Sequence, residues 1–393
     1  MTSLLDLAMA ADPAAAYDRL RANQGPVARV DLEPGVEAWL VMGHRELLTV
    51  TRSEHLYSRD ARHWRLLQDG TVTPDSPLIP MMGYRENVTG ADGAKHRGLR
   101  RPIEDALGGV DQRALRLGVE AICRTLITGF ASRGQADLVG DYAVIVPMLA
   151  LADLCGLDVA QGHQMLAAMQ LLVGSLGEAQ EGNRRFEQLI GAAIDSRRRC
   201  PARDVTTALI AHPGLTGHVE VLQTIVALVA AGYHTLIGWI AQTLRLLLVD
   251  DRFANRLHGG RLSIGDALDT VLWEDPPVAH FPGRYALTDT ELGGQRIRRG
   301  DALILGLAAA ATDPRISAGI EVGNRAHLAW SAGPHSCPAK TPARIIAQTA
   351  VDTVLELLPG VRLTVSAEDV PLMPAPWARC PAALPVAFPM PAA

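Results

Sequence analysis

The chain has 393 residues, 48% of them hydrophobic and 20% charged, with a formal net charge of −5. That is a soluble globular composition with ample material for a core, and its mildly acidic balance gives no electrostatic case for nucleic acid. Its five cysteines (Cys123, Cys155, Cys200, Cys337, Cys380) lack the close pairs of a zinc ribbon or a disulfide scaffold. Length alone would allow two or three domains, but no Gly/Ser linker or charge block divides the chain. A single large domain over 1–393 is expected. The N-terminal stretch lacks a basic region, which argues against a secretory signal and for a cytoplasmic protein.

In chain order, residues 13–25 form a predicted helix capped by Asp12. Two strands follow, Val27-Ala-Arg-Val-Asp-Leu and Ala38-Trp-Leu-Val-Met, around a Pro34-Gly35 turn. Another helix starts at Gly43. Residues 58–89 are rich in Pro, Gly, Asp and aromatic side chains, show no period, and read as a long loop with short helical pieces. Loops of that length in a compact domain are often functional. Helical pattern resumes over 95–116, basic at its start, with His96 and Arg100 four apart on one face. Taken alone, that start is either a solvated basic face or a cationic site.

Helical pattern dominates from 115 to 210, with breaks expected at Gly134, Gly156, Gly174 and Cys200-Pro201. Met165, Met169 and the apolar residues 171–173 read as core packing, and Arg197-Arg-Arg as a solvated helix end. A helix is predicted over 221–250, and its apolar run 221–248 is interrupted by Gln223, His234, Gln242 and Arg245, which favours a buried core helix over a membrane span. Residues 291–304 form a predicted hairpin with a Gly-Gly turn. The C-terminal stretch 359–388 reads as a few strands and a loop.

The most informative stretch is Trp330-Ser-Ala-Gly-Pro-His-Ser-Cys-Pro-Ala-Lys-Thr-Pro-Ala-Arg344. It holds Cys337 in a Gly/Pro loop just before an amphipathic helix predicted over 343–358. A thiolate is a soft ligand for iron or zinc, stabilised by backbone N–H groups and by a helix N-terminus. Gly333 would let the backbone approach a flat cofactor closely. The alternative is a structural thiol in a proline-rich loop.

In these residues the sequence resembles the cytochrome P-450 family of haem-thiolate monooxygenases. The family's signature runs Phe-Gly-x-Gly-x-His/Arg-x-Cys-x-Gly-x-x-x-Ala-Arg, and Gly333, His335, Cys337, Ala343 and Arg344 match it in register. Trp330, Ser331 and Ala339 depart from it. Further matches are His96-x-x-x-Arg100, Ala231-Gly-Tyr-His-Thr235, Arg284-Tyr-Ala and Ala308-Ala-Ala-Ala-Thr-Asp-Pro314. The resemblance spans essentially the whole chain and is most specific between Leu268 and Arg344.

The resemblance implies a mainly α-helical fold with a smaller β-region, and b-type haem ligated through Cys337. It implies His96, Arg100, Arg284 and His335 as partners of the haem propionates, with Gly333 in the cofactor loop. Gly232, His234 and Thr235 would stand on the oxygen-binding side. The family's acid is His234 here, which either relays protons near neutral pH or satisfies a core hydrogen bond. The implied reaction is monooxygenation of a small hydrophobic substrate in secondary metabolism. Electrons would come from NAD(P)H through a ferredoxin and its reductase, with no nucleic acid and no membrane involved.

One segment departs from the family. Register from Asp275-Pro-Pro puts Thr270 and Trp273 where members carry Glu-x-x-Arg, so the buried ion pair of that motif with an arginine before the Cys loop is expected to be absent. Here the chain resembles an actinobacterial subgroup with Leu-Trp at this place. Two other classes stay open: a haem protein of this fold that binds ligands or partners without activating oxygen, and a peroxide-driven haem enzyme.

Overall fold

The computed structural model describes residues 2–172, 176–249, 262–316 and 324–390. Gly174 and Asp250, expected as a break and a helix end, lie outside the described residues. The chain folds into two compact units. One comprises Met1–Arg97, Asp269–Cys337 and Leu372–Cys380; the other comprises Gly98–Leu268, Pro338–Pro371 and Pro381–Ala393.

The first unit is organised by a six-stranded mixed sheet. Its strands, in the chain's numbering, are β1 (Thr2–Ser3), β2 (Val27–Glu33), β3 (Val36–Val41), β4 (Tyr57–Ser58), β6 (His280–Ala286) and β9 (Ala302–Gly306), while β5 (Gln135–Asp137) belongs to the second unit. Across the sheet the order is β1-β2-β3-β9-β6-β4. Alternation places Ala28, Val30, Ala38, Leu40, Ala302 and Ile304 in one apolar cluster, and Val27, Trp39, Val41, Leu303 and Leu305 in another. Both faces are therefore covered, which is why β9 is a continuous apolar run with no polar alternation. The helix Pro13–Gln24 starts at the expected Asp12 cap, and the helix His44–Arg52 at Gly43. Residues 58–89 are the expected loop with short helical turns.

The predicted hairpin is real but shorter. β7 (Thr290–Leu292) and β8 (Gln295–Ile297) pair across Gly293 and Gly294, both with positive φ. The residues that follow leave the hairpin, because their unbroken apolar run is buried as β9 of the main sheet. β6 pairs with β9 through an irregularity between Phe281 and Arg284, where Gly283 sits at φ 81°. Such a bulge re-aims the side chain that follows it.

The second unit is helical, with a small sheet in which β11 (Pro385–Ala387) pairs with both β10 (Arg362–Leu363) and β5. The strand at 135–137 was read as helical; the chain turns at Gly134, with φ 64°, and pairs with β11. The expected stretch 95–116 is two helices, Gly93–Gly108 and Gln112–Ala131. The first ends at Gly108, and Asp111 caps the second by accepting from the N–H groups of Arg113 and Ala114. Met165 and Met169 are buried core residues, as expected.

Arg197 is not merely a solvated helix end. It pairs with Asp204, whose side chain is buried, and Nη2 donates to the Gly156 carbonyl at 2.7 Å. The helix His218–Val249 is long and apolar enough to cross a membrane by length and composition, and most of its apolar window is buried. Within the same unit the Trp239 indole donates to the Leu268 carbonyl at 3.0 Å, and the Arg344 guanidinium lies 5.6 Å from the Trp239 ring centroid.

Candidate functional site

Cys337 closes a tight loop. Its N–H donates to the Trp330 carbonyl at 2.9 Å, and Ser331 donates in turn to Leu328 at 2.7 Å. Ser331, which replaces a family glycine, has φ 57° and is the one non-glycine residue with positive φ among the described residues. Three residues beyond the sulfur the helix Lys340–Leu357 begins, without a side-chain cap hydrogen bond at Ala339. An uncapped first turn leaves N–H groups available to an anion.

Gly333 also has a packing requirement within the protein itself. At φ 69° it suits glycine alone, and a Cβ there would lie 2.1 Å from the Thr51 carbonyl oxygen. The close approach seen is to the end of the helix His44–Arg52, which docks the loop.

Around this loop the first unit gathers an ionic cluster from distant parts of the chain. The His96 and His335 rings stack at 3.9 Å between centroids. His335 Nε2 lies 3.5 Å from Asp92 Oδ1 and 3.8 Å from Glu54 Oε1. Burial drives the His335 imidazole down to about 3, against the pull of Asp92 and with help from Arg284, His96 and Arg59. The ring is therefore neutral at pH 7. Burial alone would raise Asp92, yet hydrogen bonds from His335, Ser58 and the Arg59 N–H hold it at about 2.

Arg284 carries the strongest demand. It is 1% exposed; Nη1 makes only a 3.4 Å contact to the Gly283 carbonyl, and Nη2 has no hydrogen-bond partner among the described residues. Burial, and then the neighbouring Arg59, push it well below the ordinary arginine range. A buried cation left this way costs several kcal/mol, about 3–5 on breaking a typical pair. Glu54 Oε1 is likewise buried with no hydrogen-bond partner among the described residues. Unsatisfied cationic donors beside a thiol loop and stacked imidazoles fit an iron-bearing group with acidic arms. The donor set matches haem: a soft sulfur for the metal and buried N–H donors for carboxylates.

Sequence reasoning missed Arg59, Glu54 and the role of Asp92. Arg59 donates to the carbonyls of Thr89, Pro282 and Gly283 at 3.0, 2.5 and 2.8 Å, which fixes the bulge that presents Arg284. Asp92 accepts from Ser58 Oγ at 2.5 Å. The acidic lead-in before His96 was the available signal for Asp92; Glu54 and Arg59 sit in irregular chain with none.

Arg100, expected beside His96, belongs to the second unit and pairs with Glu104 at 2.7 Å, one turn along the same helix. In that unit the Thr235 hydroxyl contacts the carbonyls of Ala231 and Gly232 at 2.9 and 3.0 Å. With its proton given to the backbone, its lone pairs remain to accept. His234 is exposed, its ring 5.0 Å from Tyr233. A Cβ on Gly232 would meet the Leu151 methyls at 3.4 Å, so this glycine also has a packing reason.

The Glu-x-x-Arg register needs a correction. A carboxylate–arginine pair does join the two segments, one residue earlier than expected: Arg325 Nε meets Asp269 Oδ2 at 3.0 Å. Trp273 Nε1 donates to the Asn324 carbonyl at 2.7 Å. Asp269 and Trp273 are four apart on one helix and so share a face; aligning on the Pro-Pro pair had hidden this.

No protein-family model matches the chain. Nocardicin C N-oxygenase of Nocardia uniformis subsp. tsuyamanensis is 28% identical, over 95% of this chain and 94% of its own. The 2-hydroxy-5-methyl-1-naphthoate 7-hydroxylase of Streptomyces carzinostaticus is 26% identical over 90% and 89%. Among solved structures, CYP154A1 from Streptomyces coelicolor A3(2) superposes with TM-score 0.82 at 28% identity, covering 96% of this chain and 98% of that one. CYP154C4 from Streptomyces sp. W2061 gives 0.84 at 26%, covering 95% and 94%. With the thiol loop and the buried cations, these likenesses make the chain similar, over nearly its whole length, to the bacterial cytochrome P450 monooxygenases.

Proposed function

We propose that this protein is a haem-thiolate monooxygenase that inserts one oxygen atom from O₂ into a small hydrophobic substrate. Two electrons come from NAD(P)H through a ferredoxin and its reductase, and the second oxygen atom leaves as water. The haem is b-type with Cys337 as its thiolate ligand, and the whole chain 1–393 acts as one functional domain in the cytoplasm. The observation that carries this reading is the buried, undersatisfied guanidinium of Arg284 in the same unit as Cys337 and the stacked His96 and His335.

In this reading Arg284 donates charge-assisted hydrogen bonds to a propionate, with His96 and His335 as its further polar neighbours. Arg100 adds a cation whose charge is already shared with Glu104. Gly333 seats the cysteine loop. Bound haem supplies one-electron and oxygen chemistry, with the thiolate's electron density favouring O–O cleavage. Thr235 orients a proton donor through its hydroxyl oxygen, His234 relays protons in place of the family's acid, and Gly232 keeps the helix clear beside them.

The test is NADPH consumption by haem-loaded protein with a ferredoxin, its reductase and a panel of small hydrophobic compounds. Products should carry one atom from isotopically labelled O₂. Equal turnover with hydrogen peroxide alone would make it peroxide-driven. Spectral binding of ligands without turnover under any electron supply would make it a binding protein; the replacement of the acid by His234 favours that second reading.

A further inference from the structure

The cluster beside the cysteine loop carries a second chemistry, opposite in sign to that of its buried arginine. Glu54, Asp92, His96 and His335 all belong to the first unit. One metal-binding atom from each of Glu54, His96 and His335 lies within 4.8 Å of the other two. His96 is 1% exposed and the His335 side chain 9%. Glu54 Oε1 is buried and accepts no hydrogen bond among the described residues. A buried carboxylate oxygen in that condition is costly unless it meets a cation or a donor.

The spacing indicates which. His335 Nε2 stands 3.5 Å from Asp92 Oδ1 and 3.8 Å from Glu54 Oε1. Both separations exceed an ordinary N–H···O hydrogen bond of about 2.9 Å. They approach the edge of a zinc tetrahedron, about 3.4 Å for metal–ligand bonds of about 2.1 Å. Asp92 is already aimed, because its Oδ2 accepts from Ser58 Oγ at 2.5 Å and from the Arg59 N–H at 2.9 Å. Outer hydrogen bonds of this kind orient a metal-binding carboxylate. Imidazoles with carboxylates suit zinc and similar ions, and the two negative charges balance a dication. Arg284 and Arg59 act on His335 from nearby and oppose it.

We propose that Glu54, His96, His335 and Asp92 form a buried binding site for a divalent cation of the zinc type. The site itself does not depend on the haem reading. One consequence does: the metal and a cofactor's acidic arms claim neighbouring side chains, so zinc should slow haem uptake.

The test is calorimetric titration of the full chain, prepared without haem, with zinc alone. Cys200→Ser and Cys337→Ser are included, so that neither of the two thiols that are not buried takes the metal. One zinc ion should bind per chain. Ser58→Ala should weaken it about tenfold, as loss of an orienting partner does, and Glu54→Gln and His335→Gln at least about a hundredfold. Arg284→Leu should tighten it at least about tenfold, because a nearby like charge is removed. That gain cannot come from a failure to fold, and it is opposite in sign to the loss expected for haem. No bound zinc, unchanged affinity in Glu54→Gln and His335→Gln, or no gain in Arg284→Leu would overturn the site. If these hold and saturating zinc leaves haem uptake by the unaltered chain unchanged, the haem placement fails and the cation site stands.

Discussion

The ionic cluster of the first unit and the polar triplet on the His218–Val249 helix meet their hydrogen-bonding needs in opposite ways. The cluster draws Glu54, Arg59, Asp92, His96, Arg284 and His335 from four separate parts of the chain, and leaves Arg284 Nη2 and Glu54 Oε1 without hydrogen bonds among the described residues. The helix triplet is local: Thr235 is satisfied by carbonyls three and four residues back, and Gly232 packs on Leu151. The Arg284 side of the first arrangement suits an anionic ligand, since an unpaired buried cation is expensive. The second is stable alone. Binding and chemistry should accordingly separate when each region is altered.

The largest effect is expected at the loop seat. Gly333→Ala combines a left-handed backbone with a Cβ placed against the Thr51 carbonyl. It should cost about 3 kcal/mol or more, from roughly 1–2 of backbone strain plus the displacement it forces. Denaturant midpoints would measure this, and an unchanged midpoint would mean the docking of the loop on Thr51 is wrong.

Arg284→Leu gives two opposite signs. Haem retention, followed by transfer to an apo-globin, should weaken by about ten- to a hundredfold, the worth of a charge-assisted hydrogen bond. The haem-free protein should become more stable, because a buried undersatisfied cation is replaced by an apolar side chain. If both fall together, Arg284 is an ordinary structural residue.

On the same strand, His280 is fully buried, bonded to Tyr17 Oη at 2.8 Å and to the Pro376 carbonyl at 2.7 Å. Burial depresses it to about 4 from 6.5. With the folded value below the unfolded one, the unfolded chain binds the proton first. The associated stability is fully present above pH 6.5 and is lost as pH falls toward 4. The loss is roughly 3 kcal/mol at most, and His280→Asn should flatten that slope in urea titrations across the window.

The smallest structural effect and the most selective functional one belongs to Thr235→Ala. Haem content and the carbon monoxide spectrum should not change. Product formed per NADPH consumed should fall about tenfold, with peroxide making up the difference, from loss of one positioning hydrogen bond. Equal loss of haem would erase the contrast between the regions.

The same contrast governs what could be read from the chain alone. Helix starts at Asp12 and Gly43, the Gly293-Gly294 turn and the buried Met165 and Met169 were legible because caps, turns and periodicity are local. Cys337, His335, His96 and Arg284 were legible because each lies in a recognisable short pattern. Arg59 and Glu54 were not, because their roles arise only when 54–59 folds against the bulge at 281–284 and the start of the His96 helix. The pairing of Arg100 with Glu104 was in plain view at i,i+4 spacing but was outweighed by the expected propionate. The Asp269–Arg325 pair escaped because alignment on Asp275-Pro-Pro assumes that helix positions, not helix faces, are kept.

The central claim, that Cys337 presents a thiolate to haem, is tested most directly by the carbon monoxide difference spectrum of the dithionite-reduced protein, with Cys337→Ser beside it. The expected result is a Soret band at the long wavelength of thiolate-ligated haem in the unaltered protein and its loss in the variant. A short-wavelength band in both proteins, or the absence of bound haem from the unaltered chain, would contradict it.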